Sequence, residues 1–282
     1  MTKLPYIIRR PYAAANYRIR HWLAQPHESP IFILGNQKSG TTAIAALLAK
    51  ATGQQATLDF FFRRNPKEVQ EYHQGKMSLN DICTRNKLEF SRKIIKDPDL
   101  TFFASDLTTT FPGARFVFIV RDPYQNVRSI LNRWSIPGTL SQLTPVIKKA
   151  LATSPSWQIV FEGASPQTAG SNYVATLANR WTQSVKAYRQ IQSRCLLVRY
   201  EDFCLHKEDT ILKMANQLDL TIRHDISQNL NHPYQPPGAD SGKTPLQFFN
   251  QNNLQKITEQ CWPTAQIFQY QPVPAQNHEP ES

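Results

Sequence analysis

The sequence predicts an α/β fold of three layers: a central, mostly parallel sheet flanked by helices on both faces. Three observations predict it. The runs 31–34 (IFIL), 115–120 (RFVFIV) and 195–200 (CLLVRY) are largely apolar without alternation, as strands buried on both faces are. Each is followed by a stretch with helical spacing, so strands and helices alternate along the chain. The unusual polar residues gather directly after these runs, at the carboxyl ends of strands, where parallel sheets bind their ligands.

The 282 residues, 40% apolar and 19% charged, supply a real core for one generous domain or two small ones. A formal charge of +11 points to an anionic partner: nucleic acid, a membrane surface, or a phosphorylated or sulfated small molecule. A generally basic protein with no such partner fits the charge equally well. Cys83, Cys195, Cys204 and Cys261 are scattered, without a C-x-x-C pair, so neither a zinc site nor a disulfide framework is expected. A reduced, cytoplasmic setting fits that usage best. Arginines break up the N-terminal apolar residues, which argues against a secretory signal. No run approaches the roughly 20 apolar residues of a membrane span.

Residues 1–30 form a basic arm carrying Lys3, Arg9, Arg10, Arg18 and Arg20 before the first acid, Glu28. Tyr6, Ile7, Tyr12, Tyr17 and Trp22 are interleaved with them. Such an arm either contacts a membrane surface or partner, or is a solvated lead-in that packs on the domain. Residues 31–270 read as a single domain. After the strand at 31–34, residues 42–52 form a helix stopped by Gly53. Asn65 caps the next helix, with Pro66 at its first position and Gly75 as its stop. The strand 115–120 leads to Asp122 as cap and Pro123 at the first position of another helix. Residues 135–172, rich in Ser, Thr, Pro and Gly, read as an irregular or lid-like insertion. Helical spacing resumes at 174–192, the strand 195–200 follows, and 208–220 is a further helix. The polar, proline-rich tail 271–282 reads as disordered. There is no internal repeat.

The loop after the first strand, Gly35-Asn-Gln-Lys38-Ser39-Gly40-Thr41-Thr42, is nearly a phosphate-binding loop. Its backbone amides and the helix behind them make an anion cradle. In ATP-using loops a lysine directly precedes the Ser/Thr and works with magnesium. Here Thr41 stands in that place and the lysine is Lys38. That position suits a transferred group less charged than a γ-phosphate and needing no metal. Arg121 at the second strand's tip, with Ser129 and Arg133 one helical turn apart, describes a second phosphate site. The alternative is that Arg121 pairs with a neighbouring carboxylate and Ser129 faces solvent. Tyr200, beside Glu201 and Asp202, either packs on a base or holds the other loops together.

These residues carry a resemblance. "QKSGTT" resembles the 5′-phosphosulfate loop of sulfotransferases that use 3′-phosphoadenosine 5′-phosphosulfate (PAPS), and "VRDPYQNVRSILNR" is similar to their 3′-phosphate motif. "LLVRYEDF" resembles a third marker, and "IIKDP" ahead of "FPGARFVFIVRDP" leans toward the tyrosylprotein and carbohydrate branch. The resemblance implies a P-loop NTPase-like sulfotransferase fold and a metal-independent enzyme. Its co-substrate is PAPS, its product PAP, and its acceptor a hydroxyl of a carbohydrate, phenol or other small-molecule or lipid alcohol. It implies that Lys38, Ser39, Gly40, Thr41 and Thr42 hold the 5′-phosphosulfate, and that Arg121, Ser129 and Arg133 hold the 3′-phosphate. Tyr200 joins the nucleotide site, and Ser241, Gly242 and Lys243 look like the late loop that closes over it. Lys38 would neutralise charge on the leaving oxygen.

In the tyrosylprotein-like branch a glutamate after the first helix takes the acceptor's proton. The corresponding residue is Asp59, one methylene shorter, with Asp97 second and His73 third in line. Lys96 would stabilise sulfuryl oxygens. Trp134, Trp157, Phe161 and Tyr173, near or within the insertion, suit an acceptor pocket or the core equally. The rivals are a P-loop nucleotide or small-molecule kinase, which wants its lysine at 41, a catalytically degenerate PAPS-binding relative, and a basic adaptor. No nucleic-acid module is recognisable, and peripheral membrane contact through the arm remains open.

Overall fold

The structure is a computed structural model that describes residues 16–63, 66–164, 169–234 and 242–273. The predicted cap Asn65, the loop residue Ser241, the arm residues Lys3, Tyr6, Ile7, Arg9, Arg10 and Tyr12, and the tail beyond Val273 lie outside the described residues.

Five strands form one sheet: β1 (Ile31–Leu34), β2 (Ala56–Leu58), β3 (Ile94–Lys96), β4 (Arg115–Val120) and β5 (Cys195–Arg199). Every pairing is parallel and the order is β2-β3-β1-β4-β5. The longer helices, in chain order, are α1 (Thr41–Thr52), α2 (Pro66–His73), α3 (Leu79–Arg85), α4 (Ala104–Thr110) and α5 (Pro123–Arg133). They continue with α6 (Pro145–Ala152), α7 (Pro155–Glu162), α8 (Tyr173–Ile191), α9 (Tyr200–Leu205), α10 (Lys207–Gln217) and α11 (Gln251–Ala265).

The central strand β1 is buried along its whole length because it is paired on both edges and covered on both faces. Side chains alternate between those faces. Ile31, Ile33, Val117 and Ile119 pack on one side against Ile44, Leu47 and Leu48 of α1 and Ile211 and Met214 of α10. Phe32, Leu34, Phe116 and Phe118 face the larger cluster, which includes Val127 of α5, Trp181 of α8 and Ile257 of α11. The three-layer α/β architecture is therefore the one the apolar runs predict. Because the connection out of β1 runs to β2 on one side and that out of the adjacent β4 runs to β5 on the other, the crevice between their carboxyl ends is open to a ligand.

Three details depart from the sequence reading. The run at 195–199, read as buried on both faces, is the edge strand β5, in which only Val198 is buried and Leu197 is 37% exposed. The segment 135–172 is not irregular throughout: it carries α6 and α7, each started by a hydroxyl residue followed by proline, Thr144-Pro145 and Ser154-Pro155. Thr144 accepts a hydrogen bond from the Ile147 amide, so a local cap outweighs the polar composition. The stretch 137–141 is held against α8 and α11 by Tyr173, whose hydroxyl lies 3.0 Å from the carbonyls of Pro137 and Leu140, and by Asn253, whose amide donates to Gly138 and Leu140. Tyr200, read as a strand end, instead opens α9.

Phe118 is wholly buried and its ring stacks on Tyr188 with centroids 4.7 Å apart. Phe118→Ala is expected to lower the free energy of unfolding by about 3–5 kcal/mol in a urea melt. A loss below about 1 kcal/mol would mean that this face of the sheet is not the packed core described.

Candidate active site

The loop between β1 and α1 is built from the backbone outward. Gly35 turns at φ 144, where a Cβ would lie 2.5 Å from the Ile119 carbonyl oxygen, and Gly40 precedes α1 at φ 88. Gly40 gives α1 no side-chain cap, and the first turn has no acidic residue, so the leading amides keep their donors for an anion. By contrast, Asp122 caps α5 and accepts from the Gln125 amide at 2.9 Å. Behind the loop lies Asn126 of α5, fully buried. It accepts from the Asn36 side chain at 2.9 Å and donates to the Gln37 carbonyl at 2.9 Å and to Ser39 Oγ at 3.0 Å. Ser39 therefore turns inward rather than toward a ligand.

The Arg121 guanidinium closes the second side. It donates to the Lys38 carbonyl at 2.9 Å, lies 4.5 Å over the Tyr200 ring, and keeps a buried Nε with no protein partner. Tyr200 packs so closely on the loop that a Cβ on Gly40 would come within 2.3 Å of its ring. Glu201 accepts from the Asp122 amide at 2.9 Å and from the Tyr270 hydroxyl at 2.8 Å. Tyr200 thus ties the loops together while also lining a cavity between them. Burial raises Asp122 to about 6, with Glu201 beside it adding to the effect.

On the third side, Lys96 is a fully buried lysine at the end of β3. Its Nζ lies 2.5 Å from Asp59 Oδ1 and 2.8 Å from Thr42 Oγ1. Asp59 follows β2 and sits at φ 54, its amide donating to the Lys96 carbonyl. Asp97 points elsewhere. Its oxygens accept from the amides of Phe61 and Asp99, and burial raises its carboxyl well above the usual range, with Asp99 and Asp59 adding to the effect. His73 packs among Tyr72, Phe102 and Phe103, away from the cavity.

One cavity of about 640 Å³ joins these groups. Lys38, Gly40, Thr41 and Thr42 line it together with Asp59 and Lys96. Arg121, Ser129, Arg133, Tyr200 and Trp157 complete the predicted residues that face it. Gly242 and Lys243 are not among its lining residues. They lead into the turn capped by Thr244, whose Phe248 packs beside Gly138. Sequence reasoning missed Arg128, Lys207 and the stretch Leu230–Tyr234. The last is pinned by Lys207, which donates to the Leu230 carbonyl and Asn231 Oδ1. The i, i+3 spacing of Ser129 and Asn132 on α5 offered a signal for Asn132, and Trp157 of α7 reaches the wall. Burial pushes Lys38 down to about 8, with Arg133, Arg121 and Lys96 adding to the shift and Asp59 opposing it.

Among the described residues no group of His, Cys, Asp and Glu could hold a metal ion, and no helix is long and apolar enough to cross a membrane.

Comparison with known proteins gives a consistent result. The model of the sulfotransferase family matches residues 68–225, more than half of the chain. That stretch includes Lys96, Arg121, Ser129 and Tyr200, while the loop at 35–42 and Asp59 precede it. No curated protein sequence matches. Among solved structures, mouse sulfotransferase SULT7A1, complexed with PAP, is 11% identical with a TM-score of 0.52, covering 88% of this chain and 91% of that one. STF9 from Mycobacterium avium is 12% identical with a TM-score of 0.50, over 92% of this chain and 81% of that one. A sulfotransferase from Alicyclobacillus acidocaldarius is 13% identical with a TM-score of 0.47, over 88% and 98%.

The contact between Gly40 and Tyr200 can be tested by a double-mutant cycle. Gly40→Ala is expected to cost about 1–3 kcal/mol of stability, from positive φ and from the collision with the ring. Tyr200→Ala in the same chain should recover the steric part, giving a coupling of at least about 0.5 kcal/mol in thermal or urea melts. Strict additivity would separate the two residues.

Proposed function

The chain belongs to the sulfotransferase family, and on that footing we propose that it moves a sulfuryl group from PAPS to an acceptor hydroxyl, releasing PAP. The observation that carries this reading is a crowd of cations. Lys38, Lys96, Arg121, Arg128, Arg133 and Lys207 line one cavity, and Asp59 is the single carboxylate among its lining residues. Burial is the main cause of the depressed proton affinity of Lys38, and the like charges of Arg133, Arg121 and Lys96 add to it against the opposing Asp59. The buried, unpartnered Arg121 Nε points the same way. A ligand with phosphate at both ends of a nucleoside would neutralise the whole crowd. PAP, present in the structure of the mouse relative, is the first ligand to try.

The amides at residues 38–42 and Lys38 would bind the 5′-phosphosulfate, and Arg121, Ser129 and Arg133 the 3′-phosphate. Asp59 would accept the acceptor's proton as its oxygen attacks sulfur. The bond from sulfur to the 5′-phosphate oxygen breaks as the new oxygen–sulfur bond forms. Lys38 would offset the charge left on that phosphate, and Lys96, fixed between Asp59 and Thr42, would orient the base and face the sulfuryl oxygens. Trp157 offers an apolar wall to the acceptor, which suits a sugar or phenol ring.

A kinase reading would want the lysine at Thr41, where its ammonium meets a metal-bound triphosphate. Activity that survives a chelator favours sulfuryl transfer; dependence on magnesium would return the kinase. PAP is expected to raise the melting temperature, and the absence of any shift would overturn the donor assignment.

The pH dependence has a definite sign. Lys38, held near about 8, loses its positive charge as pH rises through that value. PAP affinity should therefore be flat just below it and fall toward tenfold per pH unit above it. Lys38→Arg, always charged, should abolish that fall; an unchanged profile would assign it to another group. Asp59→Asn, which keeps a hydrogen-bond partner for Lys96, is expected to reduce turnover by roughly two to four decades with PAP affinity preserved. Turnover like that of the unaltered protein would remove Asp59 from the mechanism.

A further inference from the structure

The segment at residues 16–23 is a helix mounted with its apolar side outward. Tyr17 and His21, one turn apart, face the body of the protein. The Tyr17 hydroxyl donates to the Glu89 carboxylate at 3.1 Å, and His21 Nε2 lies 2.8 Å from the Arg85 carbonyl oxygen. Ile19, Trp22 and Leu23, at the spacing of a second helical stripe, remain 60%, 78% and 64% exposed. A helix docked on a globular body ordinarily buries that stripe. Here polar contacts fix the inner face, so the outer one stays available.

The charge around the stripe is of one sign. Arg18 and Arg20 are exposed on the same helix, and Arg20 is close enough to Arg92 to push the latter's proton affinity down, beyond the effect of burial. Glu89 opposes that shift but is engaged by Tyr17. The sequence ahead of the helix adds Lys3, Arg9 and Arg10 without an acidic residue before Glu28.

We propose that the Ile19–Trp22–Leu23 face, flanked by Arg18, Arg20 and Arg92, is a docking surface for an anionic lipid bilayer. Trp and aliphatic side chains at the spacing of one helical face insert at the headgroup boundary, and arginines beside them meet lipid phosphates. A protein partner would need a complementary concave surface. A bilayer needs only an outward apolar stripe among positive charges, which is what the helix presents. This surface is independent of the donor reading, since none of its residues lines the cavity.

The test is co-sedimentation of the full chain with vesicles of phosphatidylcholine alone and of phosphatidylcholine with one third phosphatidylglycerol. Binding is expected only to the anionic vesicles, with a blue shift of tryptophan emission and release as salt is raised. The exposed-face variant I19S/W22S/L23S should bind at least tenfold more weakly, and so should R18E/R20E, both with unchanged melting temperatures. Equal binding to neutral vesicles, or unaltered binding by either variant, would overturn the proposal. So would loss of self-association in I19S/W22S/L23S with no vesicle binding by the parent chain, which would assign the stripe to a second copy. A variant that melted early would be replaced by Trp22→Ser alone, judged by the same tenfold criterion.

Discussion

Asn126 holds the loop after β1 from behind with a single side-chain amide, and the rest of the site depends on that brace. A loop that exposes amides to an anion cannot satisfy its own carbonyls by helix or sheet pairing. Asn126 takes the Gln37 carbonyl and the Ser39 hydroxyl, and accepts the Asn36 amide in return. Because Asn126 sits on α5 between Arg121 and Ser129 in sequence, the loop after β1 and the start of α5 become one rigid part rather than two pieces that must find each other. Preorganised donors of this kind need not reorganise when charge arrives.

Two further ties extend the same unit. Gln37 is clasped by Arg180 of α8 at 2.8 Å and itself reaches Asp99, which Arg180 meets at 2.5 Å in a buried ion pair. Such a pair adds little net stability by itself, because desolvation offsets attraction, but breaking it strands a buried charge. From the other side, Tyr200 and Glu201 anchor the end of β5 to Gly40 and to the amide of Asp122. The strands β1, β4 and β5 thus deliver their loops to one place, and the long helices behind them keep those loops from relaxing apart.

The buried strands β1 and β4 were legible because an unbroken apolar run has few other uses, whereas the equally apolar β5 lies at the sheet edge and is only partly buried. The caps Asp122-Pro123 and Gly53 were legible because their chemistry is local. The strands β2 and β3 are three residues each, too short for any period to show. β3 exists through its pairing with β1, and β2 through its pairing with β3, both long-range facts. The helices α6 and α7 were hidden by composition, since the Thr-Pro and Ser-Pro pairs that start them also mark loops. Site residues adjacent to strands could be read from position. Leu230–Tyr234 could not, because it reaches the cavity only through Lys207 and the packing of α10. The late glycine loop shows the converse: Gly242-Lys243 has a suggestive composition, yet the Thr244 cap commits the following turn to the core near Gly138.

Asp59, the proposed base, is held in an unusual backbone conformation by Lys96. Lys38 and Asp59 both adopt positive φ, 66 and 54, in a conformation that costs a residue with a Cβ about 1–3 kcal/mol. Both line the same cavity, and Lys96 lies within reach of Asp59 and Thr42. Asp59 is held there by its own amide on the Lys96 carbonyl and by its carboxylate on the Lys96 ammonium, so backbone and side chain are fixed by one residue. A left-handed turn at a strand end redirects the Cα–Cβ bond relative to the extended strand. Ser135, Asp219 and Gln269 also adopt positive φ, so such strain is not peculiar to the site; at Lys38 and Asp59 it persists because the surrounding contacts over-determine the backbone.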